Sequence, residues 1–523
     1  MKILTAEQVR EVDRLSTEKF GVPGILLMEN AGMRVVEALE ARFKNVDEQS
    51  IAILCGKGNN GGDGIVVARQ LIQRGCFPTV FLFASPTDVT GDARTNLDIL
   101  TAIGYPPVVV RTEEEWERER LDIVGADLVI DALLGTGLSK PVEGLFSFVI
   151  QSLDEFFPGA TIVSVDVPSG CTADSADIAG PTVEADLTVT LTAPKFCLVL
   201  SPAHEMAGEV VIAAIGNPPE LLEADGLDVN LLLGDSFPDV VYAREDDTNK
   251  GSYGKVLVIG GSRGKSGAAA MAGRAALQSG AGLVTVAASE SAAPTIASHM
   301  AEMMVEPLAE GPAGTISRAA LDYGRLSSII EGKSIVALGP GLGQDQETVD
   351  LVRTLLPRFS VPLILDADGL NAFEGCAGEL RGSAFPIILT PHPGEMSRLA
   401  GLEVAEIERD RLGVARNFAT GHELYVVLKG FRTVIACPDG TAFINPTGNA
   451  GMATAGSGDI LTGMIAGILG QPGLGSFEER LCLAVYLHGL AGDLAADEVG
   501  EEGLIATDIL QFLPEAWNEL RGG

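Results

Sequence analysis

One acidic side chain lies within a segment of mostly small residues. Asp459 belongs to the stretch 445–463, in which glycine, alanine, serine and threonine predominate. Apolar residues then recur at helical spacing, which predicts a glycine-rich loop that opens a helix near Ser457. Glycines let backbone N–H groups approach a ligand, and a helix N-terminus favours an anion. A carboxylate beside such an anion is suited to taking or guiding a proton. The alternative is an ordinary N-cap aspartate after a flexible turn, but the glycine density and the length of the loop favour a functional site.

A second glycine-rich stretch, GKGNNGGDG at 56–64, lies between a predicted buried strand and a predicted helix that begins at Ile65. Three of its glycines satisfy the G-x-G-x-x-G spacing, but no acid follows the next strand to bind a ribose. The stretch is therefore not the usual nicotinamide-dehydrogenase fingerprint. Asn59, Asn60 and Asp63 add oxygen ligands and amide donors, which favours a binding site over the alternative of a tight turn.

Acidic residues also end two later strand patterns of the first half. Asp131 and Asp166 each end or follow an apolar run, and Ser169 lies in the turn after the second. In a parallel α/β sheet, ligands bind outside the carboxyl ends of the strands, so these residues and Asn60 are expected to converge. Oxygen ligands of this kind suit a hard cation. Lys195 either reaches an anionic ligand or is a solvated loop lysine, and the sequence favours neither.

The second half repeats the succession of strand and turn. Residues 254–262 predict a strand and a glycine turn, but the P-loop spacing fails by one position. Later turns carry His392 and Glu395, and a further strand ends in Lys429, a candidate phosphate contact. This succession predicts a second parallel-sheet domain with one ligand cleft.

Length and composition set the broad class. A chain of 523 residues is expected to form two or three domains. The formal net charge of −35 argues against non-specific binding of nucleic acid and against docking on an anionic membrane. The seven cysteines and five histidines show no zinc-ligand spacing. No signal peptide and no membrane span are predicted, so we expect a cytoplasmic enzyme.

The region from Leu4 to Met33 predicts a helix. Its apolar face serves either core packing, which is favoured, or an oligomer contact, and we expect a homo-oligomer. That face carries Leu26, Leu27, Met28, Ala31 and Val35.

Taken together, these motifs resemble the bacterial bifunctional NAD(P)H-hydrate repair enzymes, in which an epimerase is fused to a dehydratase. The most specific segments are NNGGDG at 59–64, TPHPGE at 390–395 and NAGMAT at 449–454, continuing to Gly458 and Asp459. The resemblance covers almost the whole chain. It implies an α/β protein with an N-terminal Rossmann-like domain at 1–225, a linker at 226–230 and a C-terminal ribokinase-like domain at 231–523.

For the first half, the resemblance implies interconversion of the R and S hydrates of NADH and NADPH (NADHX and NADPHX). Potassium would be coordinated by Asn60, Asp131 and Ser169, and Asp166 is the candidate acid/base, with Lys195 a possible assistant. The hydrate would be held by Asn59, Asn60, Gly61, Gly62, Asp63, Gly135, Thr136, Gly137, Leu138, Ser139, Lys140, Pro141 and Asp166.

For the second half, the resemblance implies dehydration of the S hydrate at the expense of ADP with magnesium, giving AMP and phosphate. Asp459 would activate the ring hydroxyl towards the terminal phosphate of the nucleotide. The S hydrate would contact Ala268, Gly341, His392 and Asp459. The nucleotide would contact Lys429, Gly430, Phe431, Arg432, Thr433 and Gly458.

This sequence departs from the family pattern mainly in the first half. Lys140 stands where arginine is common, and Cys197 stands where glycine is usual. Two rival hypotheses are a small-molecule kinase, because the second half has kinase-like parts, and a first half that binds or assembles without catalysis.

Overall fold

The computed structural model describes residues 1–237, 247–473 and 475–522. These residues form two compact units. We call Lys2–Leu227 the N-terminal unit, and Asp228–Gly523 together with Met1 the C-terminal unit. Each unit is an α/β structure built around one sheet.

The described part of the N-terminal unit contains a seven-stranded sheet in the order β3-β2-β1-β4-β5-β6-β7, with all neighbours parallel. The order reverses between β1 and β4, and ligands bind at such a reversal in doubly wound sheets. The strands are β1 Ile51–Cys55, β2 Thr79–Leu82, β3 Val108–Val109, β4 Leu128–Ala132, β5 Thr161–Val165, β6 Leu187–Leu191 and β7 Glu209–Ala213. The helices are α1 Ala6–Phe20, α2 Gly24–Arg42, α3 Asn59–Gln73, α4 Gly91–Ala102, α5 Glu113–Glu119 and α6 Gly144–Phe156.

Two sequence predictions in this unit need correction. The predicted helix from Leu4 to Met33 is two helices, because Gly21 ends α1 with a φ of 73° and Pro23 is the N-cap of α2. The helix predicted to begin at Ile65 begins at Asn59, so residues 59–64 of the predicted glycine loop form the first turns of α3.

The apolar face of α2 packs mainly into the core, as the favoured interpretation predicted. Its residues Leu27, Met28, Ala31 and Val35 are buried, whereas Leu26 is 48% exposed.

The C-terminal unit contains, among its described residues, a ten-stranded sheet in the order β11-β10-β9-β12-β13-β14-β15-β16-β17-β8. Pairing is parallel from β11 to β15, antiparallel from β15 to β17, and parallel again between β17 and β8. The strand β8 begins inside the stretch 226–230 that the sequence assigned to a linker. The strands are β8 Val229–Leu231, β9 Lys255–Ile259, β10 Leu283–Ser289, β11 Met304–Leu308, β12 Ile335–Leu338, β13 Leu363–Leu365, β14 Ile387–Leu389, β15 Tyr425–Leu428, β16 Val434–Ala436 and β17 Ala442–Ile444.

Helices cover both faces of this second sheet, and each face has its own hydrophobic cluster. The helices are α7 Ser266–Gln278, α8 Ala293–His299, α9 Arg325–Ile330, α10 Gln346–Leu355, α11 Asp368–Asn371, α12 Pro393–Ala400, α13 Val404–Arg409, α14 Arg411–His422, α15 Ser457–Leu469, α16 Phe477–Val499 and α17 Ala506–Gly522.

The helices α7 and α15 pack closely because glycines of α15 face the backbone of α7. A Cβ on Gly463 would lie 2.1 Å from the carbonyl oxygen of Ala272, and one on Gly467 would lie 2.5 Å from that of Ala276. The start of α15, which carries Asp459, is therefore fixed against α7.

Across the described residues, no helix combines the length and the apolar character needed to cross a bilayer. The seven cysteines are unpaired, and six of them are buried.

The contact between α7 and α15 can be tested with one added methyl group. Gly463→Ala should lower the unfolding free energy of the C-terminal unit by about 1–3 kcal/mol, because the methyl group meets backbone that cannot move alone. Chemical denaturation followed by circular dichroism would measure the change.

Gly421→Ala is the matched control, since Gly421 is exposed in α14 and its Cβ would meet no atom within 4 Å. This substitution should leave stability unchanged or raise it by up to about 1 kcal/mol. Equal effects of the two substitutions would contradict the packing argument.

Two candidate active sites

The first site lies in the N-terminal unit and has Asp131 as its deepest group. Asp131, in β4, is fully buried and accepts hydrogen bonds from the Ser169 N–H (2.8 Å), Ser169 Oγ (2.6 Å) and Ser164 Oγ (2.8 Å). Burial raises the pKa of Asp131, although the hydrogen bonds from Ser169 oppose the rise. The ends of β4 and β5 are thus joined through this carboxylate.

Asn60 connects the start of α3 to the same group of residues. Its Nδ2 donates to the carbonyl oxygen of Leu134 at 3.0 Å, and the Leu134 N–H donates to Ser169 Oγ at 2.8 Å. The Oδ1 atom of Asn60 is buried and has no hydrogen-bond partner among the described residues. A buried amide oxygen without a donor suits a cation ligand.

Asp166 follows β5 and forms a buried ion pair. Its φ of 68° is unusual for a residue with a side chain. Lys195 Nζ contacts Asp166 Oδ1, which also accepts the Leu191 N–H at 3.1 Å. Lys195 is fully buried and also donates to the Leu191 carbonyl oxygen at 2.8 Å and to Thr190 Oγ1 at 3.1 Å. The alternative interpretation of Lys195 as a solvated loop lysine is therefore wrong.

A cavity of about 550 Å³ opens over Asp166. Asp13 and Asp63 also line it. Burial, followed by the charges of Asp166 and Asp13, raises the pKa of Asp63 well above its usual value, although Lys195 opposes the rise. A carboxyl group that keeps its proton can donate a hydrogen bond.

Some of the predicted hydrate contacts of the first half line this cavity and others do not. The cavity is lined by Asn59, Asn60, Asp63, Gly135, Thr136, Gly137, Leu138 and Asp166. Ser139, Lys140 and Pro141 are not among the lining residues. The glycines Gly61 and Gly62 act in packing, because a Cβ on Gly61 would lie 1.9 Å from the Gly56 carbonyl oxygen and one on Gly62 would lie 2.8 Å from Met28.

The second site lies at the carboxyl ends of the strands in the C-terminal unit, where α15 begins. The helix starts at Ser457 after Gly456, whose φ is 98°, as the sequence predicted. Asp459 lies in its first turn. Burial, then the charge of Asp366, raises the pKa of Asp459 to about 7, although Lys429 opposes the rise. The carboxylate is thus balanced between its two protonation states near neutrality.

Lys429 follows β15 and binds the carboxylates beside Asp459. Its Nζ lies 2.8 Å from Asp366 Oδ1 and 3.7 Å from Glu395 Oε2. Thr462, in α15, donates its Oγ1 hydrogen to Asp366 Oδ2 at 2.8 Å. Burial lowers the pKa of Lys429, but the charges of Asp366 and Glu395 outweigh it, so the pKa is raised and the lysine stays charged.

A second carboxylate at the end of β13 holds the neighbouring glycine turn. Asp368 accepts hydrogen bonds from the Gly343 N–H at 2.9 Å and from Gln344 Nε2 at 2.9 Å, and Lys265 Nζ lies 3.3 Å away. Gly341 has a φ of 63°, and its Cβ would lie 3.1 Å from that of Ala268. The predicted residues Gly341 and Ala268 are therefore neighbours.

Two of the predicted nucleotide contacts, Gly458 and Lys429, are neighbours in the structure. A Cβ on Gly458 would lie 3.2 Å from Lys429 Nζ, so the start of α15 and the turn after β15 meet. Within that turn Gly430 has a φ of 138°, Phe431 is 53% exposed, and Thr433 Oγ1 donates to the Gly430 carbonyl oxygen at 3.0 Å.

The two histidines of this region, His392 and His488, differ in their exposure to solvent. His392 is the N-cap of α12, where its Nδ1 accepts the Gly394 N–H at 3.0 Å, and half of its side chain is exposed. His488, in α16, is buried, with its Nε2 3.0 Å from the Ser457 carbonyl oxygen. Burial lowers the pKa of His488 to about 4, so it is neutral and fixes the start of α15.

The sequence analysis missed four groups of the second site: Asp366, Glu395, Thr462 and His488. Glu395 lies in a strand-end turn to which the sequence analysis gave no role, and Asp366 directly follows β13. Asp131 and Asp166 were selected because ligands bind outside the carboxyl ends of parallel strands. The same rule selects Asp366 and Glu395. Thr462 and His488 lie within helical apolar patterns and carry no such signal.

Comparison with known proteins gives matches to both units. A family model described as YjeF-related protein N-terminus matches residues 25–197, and one described as NAD(P)H-hydrate dehydratase matches residues 256–515. The chain is 45% identical to the bifunctional NAD(P)H-hydrate repair enzyme of Moorella thermoacetica, over 98% of this chain and 96% of that one. It is 41% identical to the enzyme of the same name from Thermofilum pendens, over 100% and 97%. Among solved structures, the ADP/ATP-dependent NAD(P)H-hydrate dehydratase of Bacillus subtilis is 32% identical, with a TM-score of 0.46 over 57% of this chain and 100% of that one.

The raised pKa of Asp459 predicts a pH-dependent cost to stability. Between about pH 4 and about pH 7 the folded state holds a proton that the unfolded state has lost, so unfolding becomes easier as the pH rises through this window. Asp459→Asn should therefore raise the unfolding free energy at about pH 8 by roughly 1–4 kcal/mol, and the gain should disappear by about pH 4.

Denaturant titrations at both pH values would measure the difference. Asp497→Asn removes an exposed carboxylate from α16 of the same unit and serves as the control, with little change between the two pH values. A gain from Asp459→Asn that was equal at both pH values would contradict the assignment.

Proposed function

The chain belongs to the family of bifunctional NAD(P)H-hydrate repair enzymes, and we propose on this premise that its two units repair hydrated NADH and NADPH in succession. The N-terminal unit interconverts the R and S hydrates. The C-terminal unit dehydrates the S hydrate at the expense of ADP. The observation that carries the proposal is the position of Asp459, a carboxylate with a pKa near neutrality in the first turn of a helix beside a charged lysine.

In the N-terminal unit, Asp166 is the proposed acid/base and faces the hydrated ring. Its ion pair with Lys195 keeps a negative charge at the cavity wall, and that charge stabilises the cationic ring formed when the hydroxyl leaves. Asp63 lines the same cavity and has a raised pKa, so its protonated form is suited to donating a hydrogen bond to the departing oxygen.

Potassium is the proposed cation of this unit, and the residues present fit it. Asn60 Oδ1 has no donor among the described residues, and the buried charge of Asp131 meets hydroxyl and backbone groups but no lysine or arginine. Asn60, Asp131 and Ser169 would hold the ion, which would supply a fixed positive charge that joins α3 to the turns after β4 and β5.

In the C-terminal unit, Asp459 takes the proton of the ring hydroxyl. The hydroxyl oxygen then attacks the terminal phosphorus of ADP, and AMP leaves with the electrons of the broken P–O bond. Phosphate is a far better leaving group than hydroxide, so it departs from the ring, and loss of a ring proton restores NAD(P)H. A pKa near 7 allows Asp459 to accept the proton at neutral pH.

The proposed nucleotide contacts are Gly458 and residues 429–433. Lys429 supplies a positive charge, and the N–H groups at the start of α15 favour phosphate. Among the described residues no group of three or more histidine, cysteine or acidic side chains is placed to hold a metal ion. This fits magnesium, which commonly binds through nucleotide phosphates, a few carboxylates and water.

The S hydrate is proposed to contact Ala268, Gly341 and His392. Seven free cysteines suit a reducing compartment, so we place the reactions in the cytoplasm. A homo-oligomer is the proposed assembly.

A mixture of both hydrates separates the two activities. With ADP and magnesium, the wild-type chain should restore the reduced-nicotinamide absorbance completely. Asp459→Asn should abolish the recovery but leave epimer exchange intact, because the two carboxylates belong to different sites. Asp166→Asn should stop recovery once the S hydrate initially present has been consumed.

Chromatography of the two epimers provides the second measurement. No recovery by the wild-type chain with either ADP or ATP would reject the proposal. Accumulation of a phosphorylated alcohol without recovery of NADH would indicate a small-molecule kinase instead.

The potassium site predicts a stabilisation specific to the N-terminal unit. Raising potassium at constant ionic strength should increase the unfolding temperature of this unit, since an ion that binds only the folded state stabilises it. Asn60→Ala should remove this increase, and lithium should not reproduce it. Thermal unfolding followed by calorimetry measures the effect, and an equal increase in Asn60→Ala would contradict the assignment.

A further inference from the structure

The cavity over Asp166 in the N-terminal unit is lined by four carboxyl groups, those of Asp13, Asp63, Asp92 and Asp166. The hydrate that it is proposed to bind is itself anionic, because it contains a pyrophosphate and, in NADPHX, a 2′-phosphate as well. Ionised carboxyl groups repel such a ligand. Its phosphates therefore require positive charge elsewhere in the cavity.

Two basic side chains, Arg10 and Lys57, line the same cavity, and its described lining contains no other lysine or arginine. Arg10 lies in α1, and Lys57 lies in the turn between β1 and α3. Both residues are exposed, whereas Asp63 and Asp166 are buried, so the basic groups lie where the cavity opens to solvent. The positive charge of the cavity is thus at its opening, and these two carboxyl groups lie deeper.

One side of α1 forms part of the cavity wall. Arg10, Asp13 and Thr17 all line the cavity, and residues spaced three and four apart share one face of a helix. Asp13 is partly buried, and its Oδ1 accepts a hydrogen bond from Asn217 Nδ2 at 3.0 Å. The carboxylate nearest to Arg10 on this face is therefore held by an asparagine of another segment.

Neither basic group of the cavity is used in a contact within the protein. Among the described residues, neither Arg10 nor Lys57 forms an ion pair or a side-chain hydrogen bond. Every other arginine of the N-terminal unit has a carboxylate oxygen within 3.6 Å. In a chain with a net charge of −35, an arginine without a carboxylate is exceptional. The guanidinium of Arg10 is thus available to an anion that enters the cavity.

We propose that Arg10 and Lys57 bind a phosphate group of the hydrate at the opening of this cavity. The inference rests on the proposed epimerase function, in which the hydrated ring lies at Asp166. A phosphate held at the opening leaves the ring free to reach the deeper carboxylate, so the two residues bind substrate without touching the reacting atoms. The pyrophosphate and the 2′-phosphate offer the same chemistry to a guanidinium or an ammonium group, and the two substrates NADHX and NADPHX separate them.

Epimer exchange by the full chain tests the proposal, with ADP omitted so that the S hydrate is not dehydrated. Arg10→Gln and Lys57→Gln should each raise KM by about threefold to tenfold and leave kcat nearly unchanged, because they remove contacts to a part of the substrate that does not react. Chromatography of the two epimers gives both constants. An equal rise for NADHX and NADPHX assigns the pyrophosphate, and a rise for NADPHX alone assigns the 2′-phosphate. Unchanged KM for both substrates in both variants would overturn the proposal.

Two further variants separate a local contact from a general effect of charge. Lys44→Gln removes an exposed positive charge from the same unit outside the cavity lining, and it should leave KM unchanged. Arg10→Lys keeps the charge and should recover part of the affinity that Arg10→Gln loses. A rise in KM in Lys44→Gln equal to that in Arg10→Gln would contradict the proposal.

The salt dependence of KM adds a readout that a packing role would not produce. Sodium chloride, added at constant potassium, should raise KM of the wild-type chain more than KM of the double variant Arg10→Gln/Lys57→Gln, because ions screen the attraction. Equal salt dependence in the two proteins would count against the proposal. Absence of exchange by the wild-type chain would reject the proposed function together with this inference, whereas normal exchange with unchanged KM in the variants rejects the inference alone.

Discussion

A lysine paired with an aspartate at a strand end is central to both units, fully buried in the first and partly buried in the second. In the N-terminal unit Lys195 pairs with Asp166, and in the C-terminal unit Lys429 pairs with Asp366 at 2.8 Å. Such pairs are costly to desolvate and persist only where further hydrogen bonds satisfy both partners. Thr190 and Leu191 supply those bonds in the first unit, and Thr462 supplies one in the second.

The two pairs hold the proposed catalytic groups differently. In the N-terminal unit the lysine pairs with the catalytic candidate itself, whereas Asp63 forms no ion pair among the described residues and has a pKa raised mainly by burial. In the C-terminal unit the lysine is bound mainly by Asp366, so Asp459 keeps a pKa near neutrality. The same kind of pairing thus binds the catalytic candidate directly in one unit and leaves it outside the pair, with a pKa near neutrality, in the other.

Most of the site residues predicted from the sequence follow from one rule, that ligands bind outside the carboxyl ends of parallel strands. Parallel strands bring their carboxyl ends to one edge, so Asp131, Asp166 and Ser169 could be grouped before any coordinates were known. The start of α15 was also predictable, because Gly456 and the apolar period after Asp459 are local signals. Side-chain pairing was not predictable in this way. Lys195 stands in a loop, and its burial depends on contacts with Asp166 and β6 that no local pattern encodes.

The predicted start of α3 at Ile65 was wrong for a physical reason. The helix propensity of Asn59–Gly64 is low, since asparagine and glycine favour turns and caps. The tertiary structure overrides this preference. Gly61 lies against the backbone of Gly56, and Gly64 lies against β1 and β4, where a Cβ would be 2.6 Å from Ala132. Larger residues would favour the helix intrinsically but would hold it away from the sheet.

Burial is the largest cause of the raised pKa of Asp459, and the charge of Asp366 adds to it. In the proposed mechanism a bound nucleotide would bring negative phosphates to the start of α15, and these would raise the pKa of Asp459 further. Lys429 and the helix N-terminus act in the opposite direction, since both favour the ionised form. The carboxylates Asp366 and Glu395 hold Lys429 charged and in place before the nucleotide arrives. In the proposed complex, sharing of the lysine between these carboxylates and the phosphates would keep the pKa of Asp459 close to neutrality, which gives Asp366 and Glu395 a positioning role in the second site.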